Sequence, residues 1–215
     1  MLDLAQTSQL WLYFVLVAGI IVLPGMDMAF VMASSLADGR RAGAAAVAGI
    51  VAGGLIHTVM GALGVALVLL SAPRLFNALL LAGALYVAWM GWSLMRGASA
   101  LGEVREQASR PPAAIFARAV ITCLLNPKAY VFMLAVFPQF LRPEYGSIAS
   151  QAVALAAITS LTQALIYGAV AAAAVGMRGW LRGHGETQVW LGRAVGLVLV
   201  AMAVWTALQG WQAAA

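Results

Sequence analysis

Two oppositely charged residues, Asp27 and Lys128, lie deep within long apolar stretches of this 215-residue chain, each beside a proline. At the centre of a membrane helix such a charge costs roughly 2.5–3.5 kcal/mol, and residues of this kind usually pair with one another or line a pathway. A carboxylate can hold an amino group or a proton, and an ammonium can hold a carboxylate. We therefore take both residues as candidates for binding or coupling a small solute.

The prolines beside these charges predict that both helices are interrupted. Proline has no N–H and clashes with the preceding helical turn, and Gly25 after Pro24 weakens the first helix further. In the second helix, Asn126 is a favoured N-cap and Pro127 suits the first helical position. Each restarted helix would present free N–H groups and a positive dipole end, which suit a carboxylate. The alternative is a plain proline kink that only serves packing.

Asp27 and Lys128 also have structural alternatives. The two residues can neutralise one another, or Asp27 can stabilise its own half-helix as a carboxylate in the first turn. Lys128 at a helix start is electrostatically unfavourable, so it needs an anionic partner, which is either Asp27 or a bound substrate carboxylate. If these two partners alternate, binding is coupled to a rearrangement of the protein.

His57 is a third candidate for the same site. It lies at four-residue spacing from Gly49, Gly53 and Gly61, which predicts one helical stripe that packs closely against another helix. The same stripe can also serve a homo-oligomer. Histidine titrates near neutral pH, so His57 is a candidate proton carrier. The alternative is a neutral histidine that is hydrogen-bonded within the protein.

Gln163 and Tyr167 complete the candidate set. They share a helix face with Thr159 and Ser160, and together these side chains can hydrogen-bond a small polar solute. The alternative is that they hydrogen-bond neighbouring helices.

The composition is that of an integral membrane protein. Hydrophobic residues make up 64% of the chain, charged residues 9%, and the mean hydropathy is +0.95. The net charge of +5 comes from arginines in short loops, a pattern typical of membrane topology and not of nucleic-acid binding. One cysteine and two widely separated histidines predict no metal cluster, and no P-loop is present. We expect no cofactor.

Six apolar segments are long enough to cross a bilayer, which predicts an all-α membrane fold. Three segments (1–97) precede a polar linker (98–112), and three follow it (113–215). Pro24 to Arg40 is 16 residues and Pro127 to Arg142 is 15, so the halves resemble repeats. Because each half has an odd number of segments, we expect two inverted three-helix repeats with broken first and fourth helices. The segments are 9–36, 42–70, 74–96, 114–141, 147–177 and 188–210.

The arginines also predict the orientation in the membrane. Nine lie in the loops that follow segments one, three and five, and two lie on the opposite side. Because positive loops stay in the cytoplasm, we expect the linker inside and both termini outside. From the residues alone, the chain is a secondary transporter of a small solute.

Several motifs together resemble the LysE/RhtB family of bacterial amino-acid exporters along nearly the whole chain. The most specific motif is Asn126-Pro127-Lys128-Ala129, followed by Phe132 and Phe137-Pro138-Gln139-Phe140. The others are Pro24-Gly25-Met26-Asp27-Met28, Gly39-Arg40-Arg41-Ala42-Gly43, Gly49 to Gly53 with His57, and Gly83-Ala84-Leu85-Tyr86 with Gly91-Trp92.

The resemblance implies export of an amino acid or a close derivative across the bacterial inner membrane, driven by the proton motive force. It places the substrate carboxylate near Gly25, Asn126 and Lys128, with Asp27 on the amino group or the coupling proton. One departure is Met26, where the family usually has a second proline, and this bears on substrate choice. The alternatives are efflux of a metal cation or a toxic compound, and a non-transport membrane scaffold.

Overall fold

The chain forms a bundle of helices. The computed structural model describes residues 4–63 and 110–182 continuously, with scattered residues between 81 and 96 and between 186 and 204. In the continuous ranges all regular structure is helical. The α-helices are α1 (Leu4–Val22), α2 (Met26–Asp38), α3 (Arg40–Ala62), α4 (Pro112–Leu124), α5 (Pro127–Ala135) and α6 (Ile148–Arg182), and two short 3₁₀ helices span Phe137–Phe140 and Pro143–Tyr145.

Membrane-spanning helices are present, as predicted. Within the described residues, α3 and α6 are each long and apolar enough to cross a bilayer. A third candidate span consists of α1 and α2 taken together, bent by 56° at their junction. The predicted third and sixth segments are described only at scattered positions, and most of the linker 98–112 lies outside the described residues. The described part thus confirms an all-helical fold with two or three spans.

The first predicted segment is broken where the sequence places the break. The helix α1 ends at Val22, and α2 begins at Met26. The backbone at Gly25 is extended, and no side chain caps the start of α2. This leaves the first N–H groups of α2 without partners in their own helix. At the other end of α2, Gly39 has φ of 81°, a left-handed conformation that lets α3 start one residue later.

The predicted fourth segment is also broken, at Asn126. This residue is the N-cap of α5, and its side-chain Oδ1 accepts a hydrogen bond of 3.0 Å from the backbone N–H of Lys128. Pro127 begins the helix, where its missing donor does no harm. The helix α5 ends at Ala135, and the remainder of the predicted segment contains the 3₁₀ helix Phe137–Phe140. Both segments are therefore interrupted, and a binding role for the interruptions, as against packing alone, stays a prediction.

The helix α3 lies at the centre of the described bundle, against α4 and α6. Its glycine stripe faces α4, as the spacing predicts. A Cβ on Gly49 would lie 2.5 Å from the main-chain oxygen of Phe116, and one on Gly53 would lie 2.6 Å from the Cβ of Cys123. This stripe therefore serves packing within one chain, so it gives no ground for a homo-oligomer.

The outer surface of the described helices is apolar. Large side chains stand exposed along α1 and α6, among them Trp11, Val15, Val153, Leu161 and Leu165. A water-soluble protein rarely exposes apolar faces of this extent, whereas a bilayer favours them. In contrast, the residues that the two helix breaks bring together face the interior.

Candidate functional site

A cavity lies in the interior where the two helix breaks meet. Its volume is about 50 Å³, which is enough to hold water. Six elements contribute to its wall: α1, α2, α3, the α4–α5 junction, α5 and α6. The lining residues are Tyr13, Val17, Ile20, Ile21, Asp27, Gly54, His57, Thr58, Cys123, Asn126, Lys128, Ala129, Phe132, Met133, Thr159, Gln163 and Tyr167.

Lys128 connects the two breaks. Its half-buried side chain extends from the first turn of α5 to the end of α1, where Nζ donates a hydrogen bond of 2.9 Å to the carbonyl oxygen of Leu23. That carbonyl belongs to the last turn of α1, whose carbonyl groups have no partners within the helix. Gly25 leaves space for this contact, because a Cβ at Gly25 would lie 3.1 Å from Nζ.

Asp27 lies on the other side of the break, in the first turn of α2. Its side chain is only 3% exposed, and its Oδ1 has no hydrogen-bond partner in the described protein. Asp27 and Lys128 line the same cavity, but they form no direct ion pair. Their opposite charges nevertheless attract each other at this separation, so mutual neutralisation, one alternative from the sequence, stays a prediction. The position of Asp27 in the first turn of α2 does fit the dipole alternative.

Asn126 presents a hydrogen-bond donor to the cavity. Its Oδ1 accepts from the N–H of Lys128, and this contact fixes the orientation of the amide. The opposite atom, Nδ2, is buried and makes no hydrogen bond of good geometry, although the amide is close enough to the carboxylate of Asp27 to interact with it. Asn126 is 2% exposed, so its free donor faces no bulk solvent.

His57 presents an acceptor. Its Nε2 lies 3.0 Å from the carbonyl oxygen of Cys123, and because a carbonyl only accepts, Nε2 must carry the proton. In the neutral ring Nδ1 is then an acceptor, and it has no partner among the described residues. The ring of Tyr130 meets the imidazole edge-on, with centroids 4.9 Å apart. His57 is thus held by one nitrogen and leaves the other available.

The helix α6 contributes three polar residues in successive turns. Thr159 shares a hydrogen bond of 2.8 Å with the hydroxyl of Tyr13, which ties α6 to α1. Gln163 packs against Gly54 so closely that a Cβ on Gly54 would lie 2.5 Å from Oε1. That Oε1 is buried without a partner. Tyr167 is 1% exposed and lines the cavity one turn further along.

The unpartnered atoms of the described protein all lie around this cavity. Buried side-chain atoms without a hydrogen-bond partner are Asp27 Oδ1, His57 Nδ1, Asn126 Nδ2 and Gln163 Oε1. Native proteins pair nearly all such atoms, and an exception calls for a specific explanation. Here the exceptions come from four different elements and converge on one space. They comprise three acceptors and one donor, and the ammonium of Lys128 stands beside them.

Six of the nine predicted site residues line the cavity, and the other three do not. The six are Asp27, His57, Asn126, Lys128, Gln163 and Tyr167. Gly25 lies behind Lys128, Pro127 begins α5, and Pro24 is exposed at the break without lining the cavity. Their roles in binding stay predictions.

Sequence reasoning missed part of the wall. The main omission is α1, whose Tyr13, Val17 and Ile21 follow at four-residue spacing and face inward. The sequence of an apolar face on a membrane helix is the same whether that face lines a cavity or packs in the core. It also missed the carbonyl of Leu23, since a main-chain acceptor is invisible to a search for side-chain chemistry. Among the described residues, no group of three or more His, Cys, Asp and Glu is placed to hold a metal ion.

Comparisons with known proteins agree with one another. The family model described as LysE type translocator matches residues 18–210. An uncharacterized membrane protein of Pseudomonas aeruginosa is 31% identical over 205 residues, which are 92% of this chain and 94% of that protein. The homoserine/homoserine lactone efflux protein of Salmonella typhi is 29% identical over 192 residues, 89% of this chain and 92% of its own. The leucine efflux protein of Klebsiella pneumoniae is 33% identical over 130 residues, 60% of this chain and 61% of its own. No solved structure matches the chain.

Proposed function

Because the chain belongs to the LysE family of translocators, we propose that it exports a zwitterionic amino acid, or a close derivative, across the bacterial inner membrane. The family consists of transporters, so the chain is a multi-pass membrane transporter and not an enzyme. The observation that carries the substrate proposal is the set of unpartnered buried atoms around the cavity.

These atoms match the two charged groups of an amino acid. An ammonium group has three N–H donors, and the cavity offers three free acceptors on Asp27, His57 and Gln163. A carboxylate needs donors, and the cavity offers Nδ2 of Asn126 and the ammonium of Lys128. The starts of α2 and α5 add positive dipole ends on the carboxylate side. Binding of a zwitterion would leave each of these groups partnered.

The named relatives support the same class of substrate. Two of them are named for efflux, one of homoserine or homoserine lactone and the other of leucine. These solutes share an α-amino group and differ in the side chain. We assign the α-amino group that these solutes share to the polar side chains of the cavity wall.

We propose further that transport is coupled to protons and proceeds by rocking of two inverted repeats, residues 1–97 and 113–215, joined by a cytoplasmic linker at 98–112 with both termini outside. Broken helices that carry a site at mid-membrane are the common arrangement in transporters of inverted-repeat design. Asp27 and His57 are the candidates for the coupled proton, since both residues line the cavity and both have an acceptor without a hydrogen-bond partner. Collapse of the proton gradient with a protonophore should therefore abolish accumulation against a gradient.

Export from dipeptide-loaded cells tests the proposed function. Cells that express the wild-type protein should release one or more amino acids faster than cells without it. Asp27→Asn should reduce this release to the background, although the variant still reaches the membrane. Asp38→Asn is the matched control, because it makes the same change on the same helix outside the cavity. If no amino acid of the twenty leaves faster with the wild-type protein, the export proposal is wrong.

A further inference from the structure

When Asp27 is deprotonated, the charges of the cavity wall cancel before any substrate is bound. Asp27 contributes one negative charge and Lys128 one positive charge, and each lines the cavity without pairing directly with the other. An amino acid with a neutral side chain adds one ammonium and one carboxylate, so the net charge in the cavity stays zero. A lysine-like side chain would leave one unbalanced positive charge in the interior, and a glutamate-like side chain one negative charge. Unbalanced charges are costly in such an environment.

The sequence offers no further acid to balance a cationic side chain. The seven acidic residues are Asp3, Asp27, Asp38, Glu103, Glu106, Glu144 and Glu186, and of these Asp27 alone lies deep within an apolar segment. Among the described residues, Asp27 is the one carboxylate that lines the cavity.

The remaining wall of the cavity is apolar. It is formed by Val17, Ile20 and Ile21 of α1 and by Phe132 and Met133 of α5. Phe132 lies one turn beyond Lys128, which is about 6 Å along the helix axis.

Two threonine hydroxyls in the wall donate or share hydrogen bonds within the protein: Thr58 with the carbonyl of Gly54 at 3.0 Å, and Thr159 with Tyr13 at 2.8 Å. A substrate hydroxyl directed at the apolar side chains of α1 and α5 would lose its hydration without a partner there.

We propose that the substrate is an amino acid with a neutral, apolar side chain, which Val17, Ile20, Ile21, Phe132 and Met133 contact. This inference rests on the proposed export function and narrows it. It assigns the polar residues of the cavity to the ammonium and carboxylate groups common to all amino acids. The walls of α1 and α5 then select the side chain.

Substrate pairs of matched shape provide the test. Norvaline and homoserine differ by a methyl group against a hydroxyl, valine and threonine likewise, and norleucine has the four-carbon side chain of lysine without its terminal ammonium. Transport of each labelled compound is measured by counterflow in liposomes that contain the purified protein. We expect norvaline and valine to exceed their hydroxylated partners about tenfold or more, and norleucine to exceed lysine about 100-fold.

A pair of variants places the selection at the proposed wall. Val17→Thr introduces a hydroxyl into the cavity with almost no change of shape, since Val17 lines it and is 1% exposed. It should reduce the norvaline-to-homoserine ratio several-fold. Val15→Thr is the matched control on the outer face of the same helix, where Val15 is 58% exposed, and it should leave the ratio unchanged.

The possible outcomes separate the inference from the function on which it rests. Preference for homoserine, threonine or lysine would overturn the apolar side-chain proposal and leave amino-acid export intact. In that case Gln163 and Tyr167 become the side-chain contacts. Transport of none of the six compounds would count against both proposals. If the Val17 and Val15 variants change the norvaline-to-homoserine ratio equally, the cavity face of α1 does not select the substrate side chain.

Discussion

The ammonium group of Lys128 lies 2.9 Å from the carbonyl oxygen of Leu23, so the start of α5 is bonded to the end of α1. One hydrogen bond thus joins the two interrupted segments of the chain, 105 residues apart in sequence. It satisfies a carbonyl that the break removes from the helix. A substrate carboxylate that binds Lys128 would compete with this carbonyl, and binding would then loosen the junction between the two segments.

Replacement of Lys128 tests this relationship. Lys128→Met keeps an unbranched chain but removes the charge and all three donors, so we expect export to fall about 10- to 100-fold, because a charge-assisted hydrogen bond contributes about 1.5–3 kcal/mol. Initial export rates at equal amounts of protein in the membrane measure the effect. Arg142→Met removes an exposed cation paired with Glu144 and should retain full export. Wild-type rates in the Lys128 variant would exclude a role for the ammonium.

Gly25 gives a steric test of the same contact. A Cβ at this position would lie 3.1 Å from Nζ of Lys128, closer than most such contacts, so Gly25→Ala should displace the ammonium from Leu23. We expect a several-fold lower export rate with little change in the amount of folded protein. Gly19→Ala serves as the control, because a Cβ there has no neighbour within 4 Å. Equal rates in both variants would show that the approach of Lys128 to the break is not required.

The two ring nitrogens of His57 differ in their contacts, and one substitution tests the unpartnered nitrogen separately from the hydrogen-bonded one. The amide of His57→Gln can donate to the carbonyl of Cys123 as Nε2 does, but it loses the acceptor at Nδ1. We therefore expect near-native thermal stability in detergent together with about tenfold slower export. His57→Phe, which loses both contacts, should reduce stability as well. If His57→Gln exports at the wild-type rate, the free nitrogen has no part in transport.

The hydrogen bond between Tyr13 and Thr159 couples α1 to α6. Thermal unfolding of Tyr13→Phe, Thr159→Val and the double variant in detergent forms a double-mutant cycle. We expect a coupling free energy of about 0.6 kcal/mol, the average for such bonds between membrane helices. The pair Tyr13→Phe with Ser160→Ala is the control and should be additive, since Ser160 does not line the cavity. Additivity in the first cycle would mean that the 2.8 Å contact does not stabilise the protein.

Local signals account for what was predictable in the fold. Proline followed by glycine, and asparagine followed by proline, change the backbone itself, so both breaks are evident without any knowledge of neighbours. The four-residue spacing of Gly49, Gly53 and His57 is a property of one helix, and the structure confirms that this face packs against another helix. The single deep acid and single deep cation also follow from counting, because the cost of burying charge is general.

Partners depend on how the helices fold against one another, and sequence alone left them open. Asp27 was a candidate partner for Lys128, yet the ammonium bonds to the carbonyl of Leu23, because the end of α1 lies nearer to it in this arrangement. The closeness of Gln163 to Gly54 likewise required the packing of α6 on α3.

By itself the sequence determined that this is a helical membrane protein with two interrupted segments and a buried charge at each. Hydropathy and backbone chemistry act over a few residues, so they can be evaluated along the chain. Only the tertiary structure decided that the unpartnered atoms of Asp27, His57, Asn126 and Gln163 surround one cavity, and that α1 closes it with apolar side chains. Those relations join residues that are distant in the sequence, up to 136 positions apart for Asp27 and Gln163, and no local rule specifies which of several polar groups will meet.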